Sequence, residues 1–215
     1  RAVVSGDLDD WPFSAEGRNA GKGLFHAAAR IEDGVVRFDP GWPAAVDLDA
    51  RVDFVADVGN HQMWTACLLE LEKGQSTHYS GGMGAMGFGL PTSIALAMKD
   101  RRKVVNITGD GSVQINIQEL DTLRRLDLDV CIIVLNNSAL GMVKNFQDMY
   151  FEGNNQSTVI GYSNPDFVAV ARAYGLKAWH VNSAEEFRKV YGEALQYHHP
   201  SLIELMIEDG HECKP

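Results

Sequence analysis

Val104-Val105-Asn106-Ile107-Thr108-Gly109-Asp110-Gly111-Ser112 is a run rich in β-branched residues that ends in a Gly-Asp-Gly turn. β-Branched residues fit a pleated, buried strand, and the glycines punctuate its end. From Ser112 the chain runs 24 residues to Asn136-Asn137, which closes a second such run, Val130-Cys131-Ile132-Ile133-Val134-Leu135. The interval has room for a helix, so the two strands read as a parallel pair joined by a crossover. Both turns then reach the same edge of a sheet. A carboxylate from Asp110 and an amide oxygen from Asn137 converge there. Hard oxygen ligands suit Mg²⁺, and the glycines let backbone N–H groups approach a phosphate. Helix capping alone would also place Asp or Asn after a strand. It demands neither glycine on both sides of Asp110 nor two asparagines in succession.

The same alternation extends outward. Residues 52–56 read as a strand ending at Asp57-Val58-Gly59, with a helix over about 61–72. A glycine cluster at 81–89 opens a helix that reaches about residue 100. Strands at 103–108, 130–135, 176–181 and 201–207 alternate with helices at 114–125, 139–150 and 184–197. Ser183 with Glu185-Glu186 signals the start of the helix at 184. Pro165 is expected in the first turn of a helix capped by Asn164 and stopped by Gly175. Residues 154–164 are polar and loop-like. The pattern predicts an α/β fold, a doubly wound parallel sheet with helices on both faces. Ligands of such sheets bind at the carboxyl ends of the strands.

Residues 1–50 differ: they are rich in turn formers and carry only short apolar runs. They read as an N-terminal arm or linker to a domain over 51–215, with a helix at 24–30 and Val35-Val36-Arg37-Phe38 as one strand of a hairpin. A chain of 215 residues with 45% hydrophobic content can bury a core. Its net charge of −10 argues against nucleic acid or an anionic membrane as partner. No apolar run approaches the length of a membrane span. Cys67, Cys131 and Cys213 lack metal-ligand spacing, which fits a reducing cytoplasm. His198-His199 reads as a solvated pair. The start at Arg1 and the stop at Pro215 suggest one piece of a longer or split protein. Gly82-Met83-Gly84-Ala85-Met86-Gly87 matches a dinucleotide fingerprint, but residues 73–79 before it are too polar for the buried first strand that such a unit needs.

The Gly109-Asp110-Gly111-Ser112 and Asn136-Asn137 pair resembles the thiamine-diphosphate-binding motif. With Asp57-Val58-Gly59-Asn60-His61-Gln62-Met63-Trp64, with Ser80 to Pro91, and with Leu140-Gly141-Met142-Val143, the chain resembles acetolactate synthase and its relatives over about residues 51–208. The resemblance implies the thiamine-diphosphate-binding fold. It implies Mg²⁺ on Asp110, Asn137 and the Ala139 carbonyl. Val58, Gly59, Asn60 and His61 would line the diphosphate, with Gly109, Gly111 and Ser112. Gly141, Met142 and Val143 would complete the cofactor site. The Gly84 carbonyl and the Met86 N–H would meet the aminopyrimidine, and the Met86 side chain would wedge under the cofactor to bend it. The implied activity is a carboligase acting on pyruvate or a related 2-oxo acid. A subunit of a two-chain 2-oxo-acid decarboxylase, or a cofactor-binding subunit without turnover, remains open.

Three departures from that family matter. Its activating glutamate lies on a pyrimidine-binding domain, supplied across a dimer interface. No such domain is read here, and Glu16 sits in a loop-like context. A homo- or hetero-oligomer, with a pyrimidine-binding domain or subunit as partner, is therefore expected. The flavin-binding middle domain is also missing. Phe146 stands where the biosynthetic enzymes carry a tryptophan associated with choosing 2-oxobutyrate as acceptor, and Asn60 replaces a usual glutamine.

Overall fold

The structure, a computed structural model, describes residues 29–32, 35–38, 52–71 and 74–207. Strands β1 (Ala29–Glu32) and β2 (Val35–Phe38) form an antiparallel hairpin. The hairpin expected at Val35 is present. The helix expected at 24–30 is not seen where it can be checked, since Ala29 and Arg30 belong to β1. Their backbones pair with Phe38 and Arg37 in an antiparallel ladder instead of continuing a helical turn. The rest of that expectation lies outside the described residues.

The remaining strands build one parallel sheet: β3 (Asp53–Ala56), β4 (Ser76–Tyr79), β5 (Val104–Gly109), β6 (Val130–Asn136), β7 (Lys177–Val181) and β8 (Ser201–Met206). Their spatial order is β4-β3-β5-β6-β8-β7, every neighbouring pair parallel. The helices are α1 (Asn60–Leu68), α2 (Gly89–Asp100), α3 (Asp110–Ile115), α4 (Glu119–Leu126), α5 (Gly141–Tyr150), α6 (Phe167–Ala173) and α7 (Ala184–Gln196).

Side chains alternate across the sheet and feed two cores. Val104, Val130, Ile132 and Val134 pack with Leu90 and Ile94 of α2, Leu120 and Leu123 of α4, and Phe167 of α6. Val105, Cys131, Ile133 and Leu135 face the other way, against Phe187, Tyr191 and Leu195 of α7, with Trp64 of α1 alongside. The sheet is thus doubly wound, as the alternation of strands and helices requires. β3 and β5 are neighbours, yet α1 leaves β3 on one face and α3-α4 leave β5 on the other. A crevice opens at such a switch point, outside the carboxyl ends of the strands.

Four local expectations change. The polar segment before the glycine cluster, too polar for a buried strand and given no element in the sequence, forms β4, a half-buried edge strand, because an edge needs only one ladder and one covered face. The helix expected at 114–125 starts at Asp110 and breaks into α3 and α4, because Asn116 leaves helical geometry and gives its side-chain amide to the Gly87 carbonyl at 2.7 Å. The cap of α6 is Asp166, whose Oδ1 accepts from the Ala169 N–H at 2.8 Å, and Pro165 lies before it. Asn164 lies two residues before that cap, and its side chain is turned to Asp110 and Asn136 instead. Helix α1 stops at Leu68, short of residue 72. The Ser183 cap is as expected, accepting from the Glu186 N–H.

Candidate functional site

A cleft with about 440 Å³ of space, part of it open to solvent, lies over the carboxyl ends of β3, β5 and β6. It is lined by Val58, Gly59, Asn60, His61, Met86, Gly109, Asp110, Gly111, Ser112, Asn137, Ala139, Gly141, Met142 and Val143, with Trp64, Leu135, Leu140 and Ile207. All but two of the residues singled out in the sequence are therefore brought together. Gly84 does not line the cleft; it sits in the loop before Met86 with φ of +61°. Phe146 does not line it either. It lies one turn beyond Val143 on α5, about half exposed, with its ring against Tyr150 and Phe151.

The wall from β3 carries unmet hydrogen-bonding demand. Both polar atoms of the Asn60 side chain and Nε2 of His61 are buried without a partner. Buried polar atoms are nearly always paired, so such a cluster inside a cleft points to a polar ligand. His61 has its pKa lowered to about 4, chiefly by burial, with a bond to the Asp57 backbone pulling the other way. It is neutral at pH 7 and presents its unpaired nitrogen without a charge.

The glycines set how closely a ligand can approach the backbone. A Cβ on Gly59, where φ is +153°, would lie 2.5 Å from His61 Cε1. One on Gly111 would run into Leu140 Cδ2 and come within 3.3 Å of Met86 Cε. Any side chain at either place would fill the cradle.

The β5 and β6 ends carry the candidate metal ligands. Asp110 is buried, and burial pushes its carboxyl pKa up, while hydrogen bonds from Asn164 and Tyr162 pull it down. Tyr162 donates its hydroxyl to Asp110 Oδ2 at 3.0 Å, and Asn164 Nδ2 donates to the same oxygen at 2.9 Å. Of the two asparagines, Asn136 points into the protein and gives Nδ2 to Glu204 Oε1 at 2.8 Å. Its Oδ1 accepts from the Ser138 N–H at 3.0 Å, in a turn where Ser138 takes a left-handed φ of +54°. Asn137 and Ala139 line the cleft. Among the described residues no three of His, Cys, Asp and Glu cluster as a self-sufficient metal cage. One carboxylate, one amide and one carbonyl suit a Mg²⁺ that completes its shell with phosphate oxygens and water.

Met86 is pinned from both sides by residues to which the sequence reading assigned no role. Ser80 Oγ accepts from the Ala85 N–H at 3.3 Å, Asp57 Oδ1 accepts from the Gly87 N–H at 3.0 Å, and Asn116 holds the Gly87 carbonyl. Asp57 Oδ2 also accepts from the Gly89 N–H at 2.9 Å. Burial pushes the Asp57 pKa up, and these backbone bonds oppose it. Ser112 Oγ donates to the Val58 carbonyl at 2.6 Å and so ties the β5 turn to the β3 turn. Strand-end position was the one signal for Asp57. Tyr162 and Asn164 sit more than 50 residues from Asp110, in a loop without a local pattern.

His198 and His199 are exposed and reach Asp129 and Asp127 at 2.8 Å each, at the opposite edge of the sheet. No helix among the described residues is long and apolar enough to cross a membrane. The chain is 40% identical over 153 residues to a probable acetolactate synthase large subunit of Methanocaldococcus jannaschii, covering 71% of this chain and 26% of that protein. It is 42% identical over 142 residues to the acetolactate synthase isozyme 3 large subunit of Escherichia coli, covering 66% and 25%. It is 31% identical over 185 residues to the acetolactate synthase of Arthrospira platensis, covering 86% and 32%. The chain thus spans about a quarter to a third of the length of these relatives. The family model described as thiamine pyrophosphate enzyme, C-terminal TPP binding domain, matches residues 57–205, well over half of the chain and the whole cleft except Ile207, so the chain belongs to the thiamine-diphosphate-dependent enzymes and carries their diphosphate-binding domain.

Proposed function

We propose that this chain is the diphosphate-binding part of a thiamine-diphosphate- and Mg²⁺-dependent carboligase that joins pyruvate, or a related 2-oxo acid, to a second carbonyl compound. The observation that carries the reading is the convergence, in one cleft, of Asp110 and Asn137 with the unpartnered polar atoms of Asn60 and His61. The residues fit the cofactor: the orphaned Asn60 amide nitrogen can donate to a diphosphate, and Gly59 and Gly111 leave a cradle that a Cβ would fill. The named relatives, all acetolactate synthases, favour the carboligase activity.

When bound, thiamine diphosphate supplies the carbanion chemistry that a protein side chain cannot. The chain's own residues hold and orient it. Asp110, Asn137 and the Ala139 carbonyl would hold Mg²⁺. Val58, Gly59, Asn60, His61, Gly109, Gly111 and Ser112 would hold the diphosphate, and Gly141, Met142 and Val143 the neighbouring wall. Met86, fixed through Ala85 and Gly87, is the rigid support against which the two rings would bend. The loop from Ser80 to Gly87, which includes Gly84, would meet the aminopyrimidine. Phe146 would face the acceptor once a partner closes the rim.

A partner is part of the reading. The cleft is partly open to solvent, so this chain's residues alone do not exclude water from the site. Met83, Phe146, Tyr150 and Phe151 are large, apolar and exposed on the loop and helix that carry Met86 and Val143. Exposed apolar side chains of this kind, with Phe146 in ring contact with Tyr150 and Phe151, fit a protein interface. A pyrimidine-binding domain or subunit that supplies the activating glutamate fits it, in a homo- or hetero-oligomer. Residues 1–50 would then be an arm or linker to the domain over 51–215. The free thiols Cys67 and Cys131 fit a cytoplasmic setting.

The test is incubation with pyruvate, thiamine diphosphate and Mg²⁺, with and without a pyrimidine-domain partner, followed by product identification. Acetolactate only in the presence of the partner is the expected result. Acetaldehyde as sole product would make it a decarboxylase. No turnover with any partner would leave a cofactor-binding subunit, and robust pyruvate consumption by the chain alone would overturn the need for a partner.

A further inference from the structure

The two strand ends that carry Asp110 and Asn137 are tied together by a side chain that belongs to neither. Asn164 lies in the segment before α6. Its Nδ2 donates to Asp110 Oδ2 at 2.9 Å and to Asn136 Oδ1 at 2.7 Å. One amide nitrogen carries two protons, so both bonds can form at once. Asn136 passes the connection on, giving its Nδ2 to Glu204 Oε1 at 2.8 Å. Glu204 is 4% exposed, and its other oxygen meets His180 Nδ1 at 3.2 Å. A continuous line of side chains therefore runs across β7, β8 and β6 to the end of β5.

We propose that Asn164 is a positioning residue for metal ligation, acting on Asp110 directly and on the Asn137–Ala139 turn through Asn136, with Glu204 as the buried anchor of Asn136. The proposal rests on the metal reading of the cleft. Both side-chain donors to Asp110, Asn164 and Tyr162, fall on Oδ2. They fix the plane of the carboxylate and do not occupy its other oxygen. Asn136 works the second half. Its Oδ1, held by Asn164, also accepts from the Ser138 N–H and stabilises the left-handed Ser138. That conformation is costly for a residue with a Cβ, and it bends the chain so that Asn137 and Ala139 both line the cleft. Without Asn164 the two ends of the ligand set would lose their common reference. Residues that orient metal ligands in this way typically change affinity by about 10- to 100-fold when removed.

The experiment measures the Mg²⁺ concentration that half-saturates thiamine diphosphate uptake by the intact protein. Calorimetry reads it, and so does the fluorescence of Trp64, which lines the cleft. Asn164→Ala is expected to raise that concentration about 10- to 100-fold. Glu204→Leu should raise it too. Glu204→Gln should stay within about threefold of wild type, because glutamine can still accept from Asn136 and donate to His180. Ser183→Ala, which removes the distant cap of α7, controls for general destabilisation and should leave the Mg²⁺ requirement unchanged. If Asn164→Ala fails to fold, the Glu204 pair decides alone. An unchanged Mg²⁺ requirement in Asn164→Ala, or equal shifts in Glu204→Gln and Glu204→Leu, overturns the proposal while the metal reading stands. A wild-type protein without Mg²⁺-dependent uptake overturns both.

Discussion

The two edges of the sheet are built from similar residues and end in opposite states. At the amino ends of the strands, Lys103 is buried. It donates to Asp129, to the Tyr197 carbonyl at 3.0 Å and to the Ala194 carbonyl at 3.3 Å, closing the end of α7. His198 reinforces Asp129 from outside. Each of these polar groups has its partner. At the carboxyl ends, Asn60 and His61 are as buried as Lys103, and both Asn60 side-chain polar atoms and His61 Nε2 are unmet. An unpaired buried polar group costs about 1–3 kcal/mol, a cost that the Lys103 cluster avoids and the Asn60–His61 pair carries. Asn106 and Ser201 are also buried with unpartnered polar atoms away from the cleft, so it is the pairing of Asn60 with His61 inside the cleft that marks polarity kept for a ligand.

Breaking each edge should therefore have opposite consequences. The largest effect is expected for Asp110→Ala, which removes the single carboxylate of the candidate metal set. Cofactor affinity should fall by several kcal/mol, roughly a hundredfold or more, with the fold retained. Calorimetry with and without EDTA checks it, and unchanged uptake in either case would remove the metal from the site. Lys103→Met breaks the other edge. It strips Asp129 and two carbonyls of their donor, for a loss of about 3 kcal/mol of stability. Thiamine diphosphate affinity of the folded protein should not change. A denaturant titration beside a binding isotherm separates the two, and a Lys103→Met variant that folds normally but binds poorly would collapse the distinction between the edges.

Acid sharpens the same contrast. His61 stays neutral in the fold down to about pH 4 and has a reference pKa of 6.5. The unfolded chain therefore takes up a proton first, and stability drains away as pH falls through that window. At pH 4.5 the loss relative to pH 7 should be on the order of 2–3 kcal/mol. His61→Gln should flatten this part of the acid limb. Urea midpoints at the two pH values measure it. Equal acid sensitivity in wild type and His61→Gln would show that another group drives the transition.

What the chain disclosed beforehand follows from the range of each interaction. The strands at 104–109 and 130–136 were legible because β-branched runs end abruptly in Gly109-Asp110-Gly111 and Asn136-Asn137. Asp110 and Asn137 followed from those strand ends, whereas the other cleft residues came from the resemblance to acetolactate synthase and its relatives. β4 was missed because Ser76-Thr77-His78-Tyr79 lacks a buried strand's composition, which an edge position does not demand. Asn164 was misread as a helix cap because capping is the common local use of asparagine. Its partners, Asp110 and Asn136, are brought to it only by the closed sheet. The two residues that stayed outside the cleft, Gly84 and Phe146, belong to the rim, where a second surface would decide their environment.

Phe146 gives the smallest effect and the test of that rim. The floor of the cleft is fixed by buried bonds, whereas Phe146 is about half exposed and touches Tyr150 and Phe151 rather than Asp110 or Met86. A residue of that kind can tune which acceptor fits without altering how the cofactor is held. Tryptophan offers a larger aromatic face, and contact differences of this size discriminate substrates by about 1–3 kcal/mol in a closed pocket. With half of the ring in solvent, the lower end applies, roughly tenfold. The assembled enzyme should therefore show a weak preference for 2-oxobutyrate over pyruvate, and Phe146→Trp should raise it, with cofactor affinity unchanged. A product ratio from both acceptors in competition reads the effect. A strong wild-type preference for 2-oxobutyrate that Phe146→Trp leaves untouched would put acceptor choice in the partner's wall of the site, and would make the α5 aromatics part of an interface alone.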